Sequence, residues 1–100
     1  MRPLTTPVDS MEAKRKRRLK AKAHALKPVV LLGQRGLTDA VLAEIDHALR
    51  AHELIKVRVN ADDHKARQDM VRIICERLNA EAVQILGHIV TLYRKNPAAT

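Results

Sequence analysis

Residues 27–39 read KPVVLLGQRGLTD, and this stretch decides the fold. Pro28 ends the helix predicted before it, because the residue preceding a proline is pushed out of the helical region. Residues 29–32 form a continuous apolar run stopped by Gly33, which is typical of a short buried strand. Thr38 is a good N-cap for a further helix. The stretch therefore predicts the order helix, strand, loop, helix.

The segment before this stretch predicts a basic helix. Asp9 or Ser10 can cap its start. Its apolar stripe is narrow and has helical spacing, at Leu19, Ala23 and Leu26. Residues 1–9 and 97–100 are predicted to be flexible tails, so that a single domain spans residues 10–96.

The segment after it predicts a helix, a strand, a helix and a hairpin. Residues 54–60 alternate apolar with polar, which gives a strand with one buried and one wet, basic face. The two helices carry apolar stripes, one at Val41, Leu42, Ile45, Ala48 and Leu49, the other at Ala66, Met70, Ile73, Ile74 and Leu78. Asp62 or Asp63 can cap the second of them, and Asn79 suits its end.

Two closing strands, 83–86 and 89–94, flank Gly87, a residue suited to a type II′ turn. Strands joined through helices favour parallel pairing, whereas a hairpin is antiparallel. Both long helices are amphipathic on one side only. The sequence therefore predicts an α+β two-layer sandwich, with a four-stranded mixed sheet and helices on one face.

Composition excludes several classes of protein. A chain of 100 residues holds one domain. Tyr93 is its only residue among Phe, Tyr and Trp, which disfavours modules that stack bases on platforms of these side chains. Cys75 is its only cysteine, so neither an internal disulfide nor a multi-cysteine zinc site can form, and a reducing, cytoplasmic location is expected. No apolar run reaches the roughly 20 residues of a membrane span.

The positive charge is concentrated in the first quarter of the chain. Residues 1–27 hold nine basic and two acidic side chains, so that they carry +7 of the net +8. Seven of the nine residues 14–22 are basic. Such runs are often merely solvated, but this asymmetry favours a polyanionic partner, most often nucleic acid.

The loop GQRG, residues 33–36, follows a strand and leads into a helix. Glycines let a backbone approach a phosphate, and Arg35 adds a cation, as in a GxxG loop that clamps a nucleic-acid backbone. A plain tight turn is the alternative. Nothing indicates catalysis or a metal site, because no nucleophile motif and no clustered ligand spacing is present. We expect neither enzymatic activity nor a cofactor.

Three separated motifs resemble the CRM domain, the chloroplast RNA splicing and ribosome maturation module. They are residues 23–38, residues 54–57 and the closing Gly87 with residues 92–94. A single copy is similar to the bacterial YhbY family. The resemblance implies a fold like the C-terminal domain of translation initiation factor three, with the last strand between the second and third. It also implies RNA binding without catalysis, in precursors of the large ribosomal subunit.

The resemblance, together with the basic N-terminal segment, implies a ribosome-assembly factor that binds rRNA, and we expect it to be a monomer. The predicted RNA-contacting residues are Lys14, Arg15, Arg17, Arg18, Lys20, Lys22, Lys27, Gly33, Gln34, Arg35, Gly36, Lys56, Arg58 and Arg94. A protein-interaction adaptor and a non-specific, nucleoid-type DNA binder are the alternatives. An RNA-modifying enzyme is disfavoured, since the sequence offers no nucleophile, metal cluster or cofactor loop.

Overall fold

The computed structural model describes residues 5–33, 35–61 and 63–96. Residues 1–4 of the predicted N-terminal tail, Gln34, Asp62 and the predicted tail at 97–100 lie outside the described residues. The elements are α1 (Thr5–Ala23), β1 (Pro28–Leu32), α2 (Asp39–His52), β2 (Leu54–Val59), α3 (His64–Leu78), β3 (Glu81–Leu86) and β4 (Ile89–Tyr93). This is the element order that the sequence predicts.

The four strands form one mixed sheet in the order β1-β2-β4-β3. β1 pairs parallel with β2, whereas β4 lies antiparallel between β2 and β3. The fold class predicted from the sequence is confirmed, and so is the central position of the last strand that the family resemblance implies. The register places Leu32 beside Val59, so the β1 and β2 chains leave the sheet at the same end.

The main core lies between the sheet and helices α2 and α3. Successive strand residues point to opposite faces, and Ile55, Val57 and Val59 of β2 are all 2 % exposed or less on this face. The helices supply Leu42, Ile45, Leu49, Val71 and Ile74 to the same cluster. Both helices therefore cover one face of the sheet, as their one-sided amphipathicity predicts.

Helix α1 packs on the opposite face and adds a partial third layer. Its Leu19 and Ala23 form a second apolar cluster with Leu54 and Val83, next to Tyr93. Leu54 and Ile55 are neighbours in β2, so their side chains point to opposite faces of the sheet. The two-layer description thus holds for α2 and α3, and α1 lies across the sheet from them.

Three local predictions differ from the structure. α1 begins at Thr5, so neither Asp9 nor Ser10 caps it; Pro7 then falls in the first turn, where proline is tolerated. Leu26, the last residue of the predicted apolar stripe, is 37 % exposed because it follows the end of the helix. In α3, Met70, Ile74 and Leu78 of the predicted stripe pack in the core, but Val71 joins them there in place of Ala66 and Ile73.

Strand β1 is only half buried, although its apolar run predicts a buried strand. Val30 and Leu32 are 4 % and 1 % exposed, whereas Val29 and Leu31 are 51 % and 56 % exposed. The reason is that β1 is an edge strand and α1 packs against β2 and β3. An apolar stretch of sheet is therefore left uncovered.

Several predicted turn and cap residues are confirmed. The Val41 amide donates to Thr38 Oγ1 at 3.1 Å, and Asn79 adopts the left-handed conformation after α3. Gly87 has a φ of 57°, as the first position of a type II′ turn requires. Asp63 occupies the N-cap position of α3 without a side-chain cap bond. Glu53, which ends α2 at a φ of 65°, has no counterpart in the predictions.

Candidate nucleic-acid interface

The GxxG loop is a tight turn at the end of β1. The Gly36 amide donates to the Gly33 carbonyl at 3.0 Å, and Gly36 has a φ of 71°, which favours glycine. Gly33 is exposed, and a Cβ added there meets nothing within 4 Å. The fold itself therefore requires glycine at position 36 but not at position 33.

The start of α2 offers little to an anion, although it follows the loop. Its Val41 amide is already bound to Thr38, and the carboxylate of Asp39 lies in the first turn. Arg35 is exposed and makes no ion pair with any residue that the structure describes. The anion-binding capacity at this end of the sheet thus comes from the loop and its arginine.

Helix α1 presents cations on the side away from the sheet. Lys14, Arg17 and Arg18 are exposed and line one shallow depression with Ala21, a helical spacing that puts all four on one face. Their side chains form no ion pair within the described part of the chain. This face is therefore free to bind an anion.

Arg15 is not free, although the sequence groups it with these cations. Its Nη2 atom lies 2.8 and 2.9 Å from the two carboxylate oxygens of Glu81 on β3, and 3.2 Å from Oε1 of Glu12. The hydrogen bond to Glu81 is the main reason that the Arg15 pKa is raised. We therefore assign Arg15 to the attachment of α1, and its contact with RNA stays a prediction.

Arg94 is likewise engaged within the protein. Its guanidinium is 18 % exposed and donates to Asp46 Oδ1 at 2.8 Å and to the Leu78 carbonyl at 2.9 Å. These bonds join the end of β4 to α2 and to the end of α3. Arg94 is thus a structural residue, and its contact with RNA stays a prediction.

Lys56 and Arg58 lie on the half of the sheet that α1 leaves uncovered. Arg58 is exposed and stands between Leu31 of β1 and Ile89 of β4 in the sheet register. Lys56 is half-buried, next to Thr91. We call this surface the open sheet face; it comprises Leu31, Lys56, Arg58, Leu86 and Ile89. It runs from α1 toward the sheet end that carries the GxxG loop.

Lys20 lies apart from the outer cations of α1, at a cleft between the helix and the open sheet face. The cleft is lined by Lys20, Ala23, His24, Lys56, Gln84, Leu86, Ile89 and Thr91. Sequence reasoning missed His24, Gln84, Leu86 and Ile89. Strand alternation could have placed Gln84 and Leu86 on the same face of the sheet. Their proximity to a lysine, however, follows only from the packing of α1 on that face.

Lys22 and Lys27 border a second groove, beside the edge strand. Its other lining residues are Ala25, Leu26, Val29, His52, Leu54 and Ile55. The structure thus divides the predicted cations among the outer side of α1, the cleft, this groove and the open sheet face. Glycines 33 and 36 with Arg35 form the separate loop site.

No group of three or more metal-ligating side chains occurs among the described residues. Burial raises the pKa of the half-buried Cys75 thiol, so it is protonated near neutral pH. Within the same ranges, no helix is long and apolar enough to cross a membrane.

Comparison with known proteins is consistent with this geometry. A Haemophilus influenzae "RNA-binding protein" is 47% identical over 90% of this chain and 91% of its own length. A "probable RNA-binding protein" of Pseudomonas aeruginosa is 36% identical over 88% and 85%. A Staphylococcus aureus protein, described as a candidate RNA binder, has a solution structure with a TM-score of 0.74 at 30% identity, covering 83% of this chain and 86% of that one. Residues 11–94 match the model of the CRS1 / YhbY (CRM) domain, and the chain therefore belongs to that family.

Proposed function

We propose that this protein binds RNA without catalysing a reaction, and that it acts as a ribosome-assembly factor on rRNA in precursors of the large subunit. The contacts are made by the outer cations of α1 (Lys14, Arg17 and Arg18), by the GxxG loop, and by Lys56 and Arg58 between them. The protein acts as a monomer that contacts the RNA backbone along this path.

The observation that carries the proposal is the position of these groups on one side of the sheet. α1 covers one end of that side, at Leu54 and Val83. The open sheet face continues from there to Arg58, whose partner Leu31 lies two residues before Gly33. Cations that follow one path suit a phosphate backbone, whereas cations scattered around a domain serve mainly solubility.

RNA is favoured over duplex DNA by the nature of the contacts. The structure offers the open sheet face, a backbone turn and the outer cations of α1, which suit contacts with a phosphate backbone. Structured RNA is recognised largely through shape and backbone contacts. The Haemophilus influenzae and Pseudomonas aeruginosa relatives, which are named as RNA-binding proteins, support the same choice.

Charge reversal in the loop tests the proposal. Arg35→Asp changes an exposed side chain at the loop, and Lys95→Asp makes the same change at the opposite end of the sheet. We expect Arg35→Asp to lower affinity for rRNA fragments and to reduce co-sedimentation with large-subunit precursors on sucrose gradients, with an unchanged melting temperature. Lys95→Asp should behave like the wild type. Wild-type affinity in both variants would show that the loop is a plain turn with no role in RNA binding.

A protein-interaction adaptor remains the second candidate, because β1 is an edge strand with exposed apolar residues. Val29 and Leu31 are more than half exposed, and the groove beside them is mainly apolar. Exposed apolar strand edges are frequent sites of protein association. Competition between structured RNA and duplex DNA at matched salt separates the classes: selective RNA binding supports our proposal, and equal binding supports the DNA binder. Binding of neither nucleic acid would support the protein-interaction adaptor.

A further inference from the structure

The cleft between α1 and the open sheet face has the size, lining and charge of a binding site for a single base. We propose that it binds one unpaired nucleotide of the RNA, with the base inside and its phosphate between Lys20 and Lys56. This inference rests on the proposed function and deepens it, since it adds recognition of an unpaired base to contacts with the backbone.

Size is the first argument. The cleft has a volume of about 220 Å³, below the roughly 300–1,000 Å³ of pockets that hold drug-sized ligands. It lies beside the path of exposed cations rather than in the core. A planar ring of one or two cycles fits such a space, whereas a longer peptide segment does not.

The lining supplies each contact that a nucleotide needs. Leu86 and Ile89 give an apolar wall, and Leu86 is 63 % exposed. The His24 imidazole is exposed at the cleft, and histidine is one of the side chains on which unpaired RNA bases stack. The Gln84 amide can both donate to and accept from a base edge. The cleft therefore provides a ring contact without Phe, Tyr or Trp.

Charge selects an anion at the same place. Lys20 and Lys56 come from α1 and β2, and no acidic side chain lines the cleft. Neither lysine makes an ion pair with a described residue. Two cations beside an apolar wall with one amide fit a nucleotide better than they fit an apolar partner, which would leave both charges uncompensated.

Two RNA hairpins of equal length provide the probe. One carries a single unpaired 2-aminopurine, and in the other that base is paired with uracil. We expect the wild-type protein to bind the first about tenfold more tightly, the size of effect that one base-stacking contact gives. Its 2-aminopurine emission should fall on binding as the base stacks.

Variants of cleft residues test whether the cleft causes the preference for the unpaired base and the change in emission. His24→Ala should abolish both the preference and the emission change, His24→Phe should retain them, and His47→Ala on the far side of the sheet should match the wild type. Gln84→Glu should also remove the preference, because its carboxylate would pair with Lys20 or Lys56. Equal affinity for the two hairpins, or a preference that survives His24→Ala and Gln84→Glu, would overturn the inference alone. Binding of neither hairpin would overturn the proposed function as well.

Discussion

Arg15 of α1 holds Glu81 of β3 through one nitrogen, Nη2, which lies 2.8 and 2.9 Å from the two carboxylate oxygens. The two residues are 66 positions apart in the sequence. The bond lies near the apolar contact of Leu19 and Ala23 with the sheet, so it fixes which side of α1 faces inward. Lys14, Arg17 and Arg18 are directed outward as a consequence.

Reversal of this ion pair should loosen α1 without unfolding the domain. Arg15→Glu places a third carboxylate beside Glu81 and Glu12, and the repulsion should increase hydrogen exchange of the α1 amides. A second change, Glu81→Arg, should restore protection by rebuilding the pair in the opposite sense. Lys16→Glu, an exposed charge reversal on the same helix, is the control. Equal exchange in Arg15→Glu and Lys16→Glu would show that the apolar contacts alone hold the helix.

The Asp46–Arg94 pair should make stability depend on pH in the acid range. The hydrogen bond from Arg94 lowers the Asp46 pKa. A carboxyl group with a lowered folded-state pKa stabilises the fold above its ordinary value of about 3.9 and loses that contribution as the pH falls through the lower value. Urea unfolding between about pH 5 and 2 should therefore show a slope that Asp46→Asn reduces. Glu44→Gln, which removes an exposed carboxylate of the same helix outside this ion pair, is the control.

Loss of Arg94 itself should be costly, because its bonds join three elements. Arg94→Ala removes charged hydrogen bonds to Asp46 and to the Leu78 carbonyl at a site that is 18 % exposed. We expect a loss of about 2 kcal/mol in the free energy of unfolding. RNA affinity, measured well below the melting temperature, should be unchanged. A selective loss of affinity in a stable Arg94→Ala protein would show that this residue also contacts RNA.

Local patterns predict most of the fold, because hydrophobic periodicity and helix capping depend on residues that are close together in the sequence. The alternation in β2 and the Thr38 cap are examples, and both are confirmed. The side of the sheet that α1 occupies is not local: it depends on Leu54 and Val83, far along the chain. The exposure of Val29 and Leu31 follows from that placement. The apolar run alone carries no information about it, and for that reason it predicts that both residues are buried.

The candidate site likewise has features that local motifs predict and features that depend on residues far apart in the sequence. The cations of α1 and the GxxG loop are visible as motifs. The carboxylates of Glu81 and Asp46, which bind Arg15 and Arg94, lie 66 and 48 residues from them. A count of basic residues therefore cannot separate cations that bind within the protein from free ones. The cleft also needs residues of α1, β2, β3 and β4 together, so no single motif could have predicted it.

The two loop glycines should respond differently to alanine. Gly36→Ala puts a Cβ on a backbone with a φ of 71°, which should lower the free energy of unfolding by about 1–2 kcal/mol. Gly33→Ala meets open space and should leave stability unchanged. If the loop backbone approaches a phosphate, Gly33→Ala should nevertheless weaken RNA binding. Denaturant unfolding and RNA titration of both variants check this, and a Gly33→Ala protein with wild-type affinity would contradict the close approach.

Charge reversal on the outer face of α1 should change how RNA affinity depends on salt. Each neutralised phosphate contributes roughly 0.7–0.9 to the slope of log K against log salt. Lys14→Glu, Arg17→Glu and Arg18→Glu together should therefore weaken binding to every RNA sequence and flatten the slope by about 2–3 if all three residues contact phosphates. Arg15 is left intact because its bond to Glu81 holds the helix.

The matched control reverses Arg72, Arg77 and Lys95, three exposed cations that lie away from the open sheet face and give the same change in net charge. Circular dichroism should show the same helix content in both triple variants. Since long-range attraction depends on net charge, the control should lose some affinity at low salt while it keeps the wild-type slope near physiological salt, where the Debye length is about 8 Å. An unchanged slope in the α1 variant would mean that the basic run is merely solvated and that RNA contacts lie elsewhere.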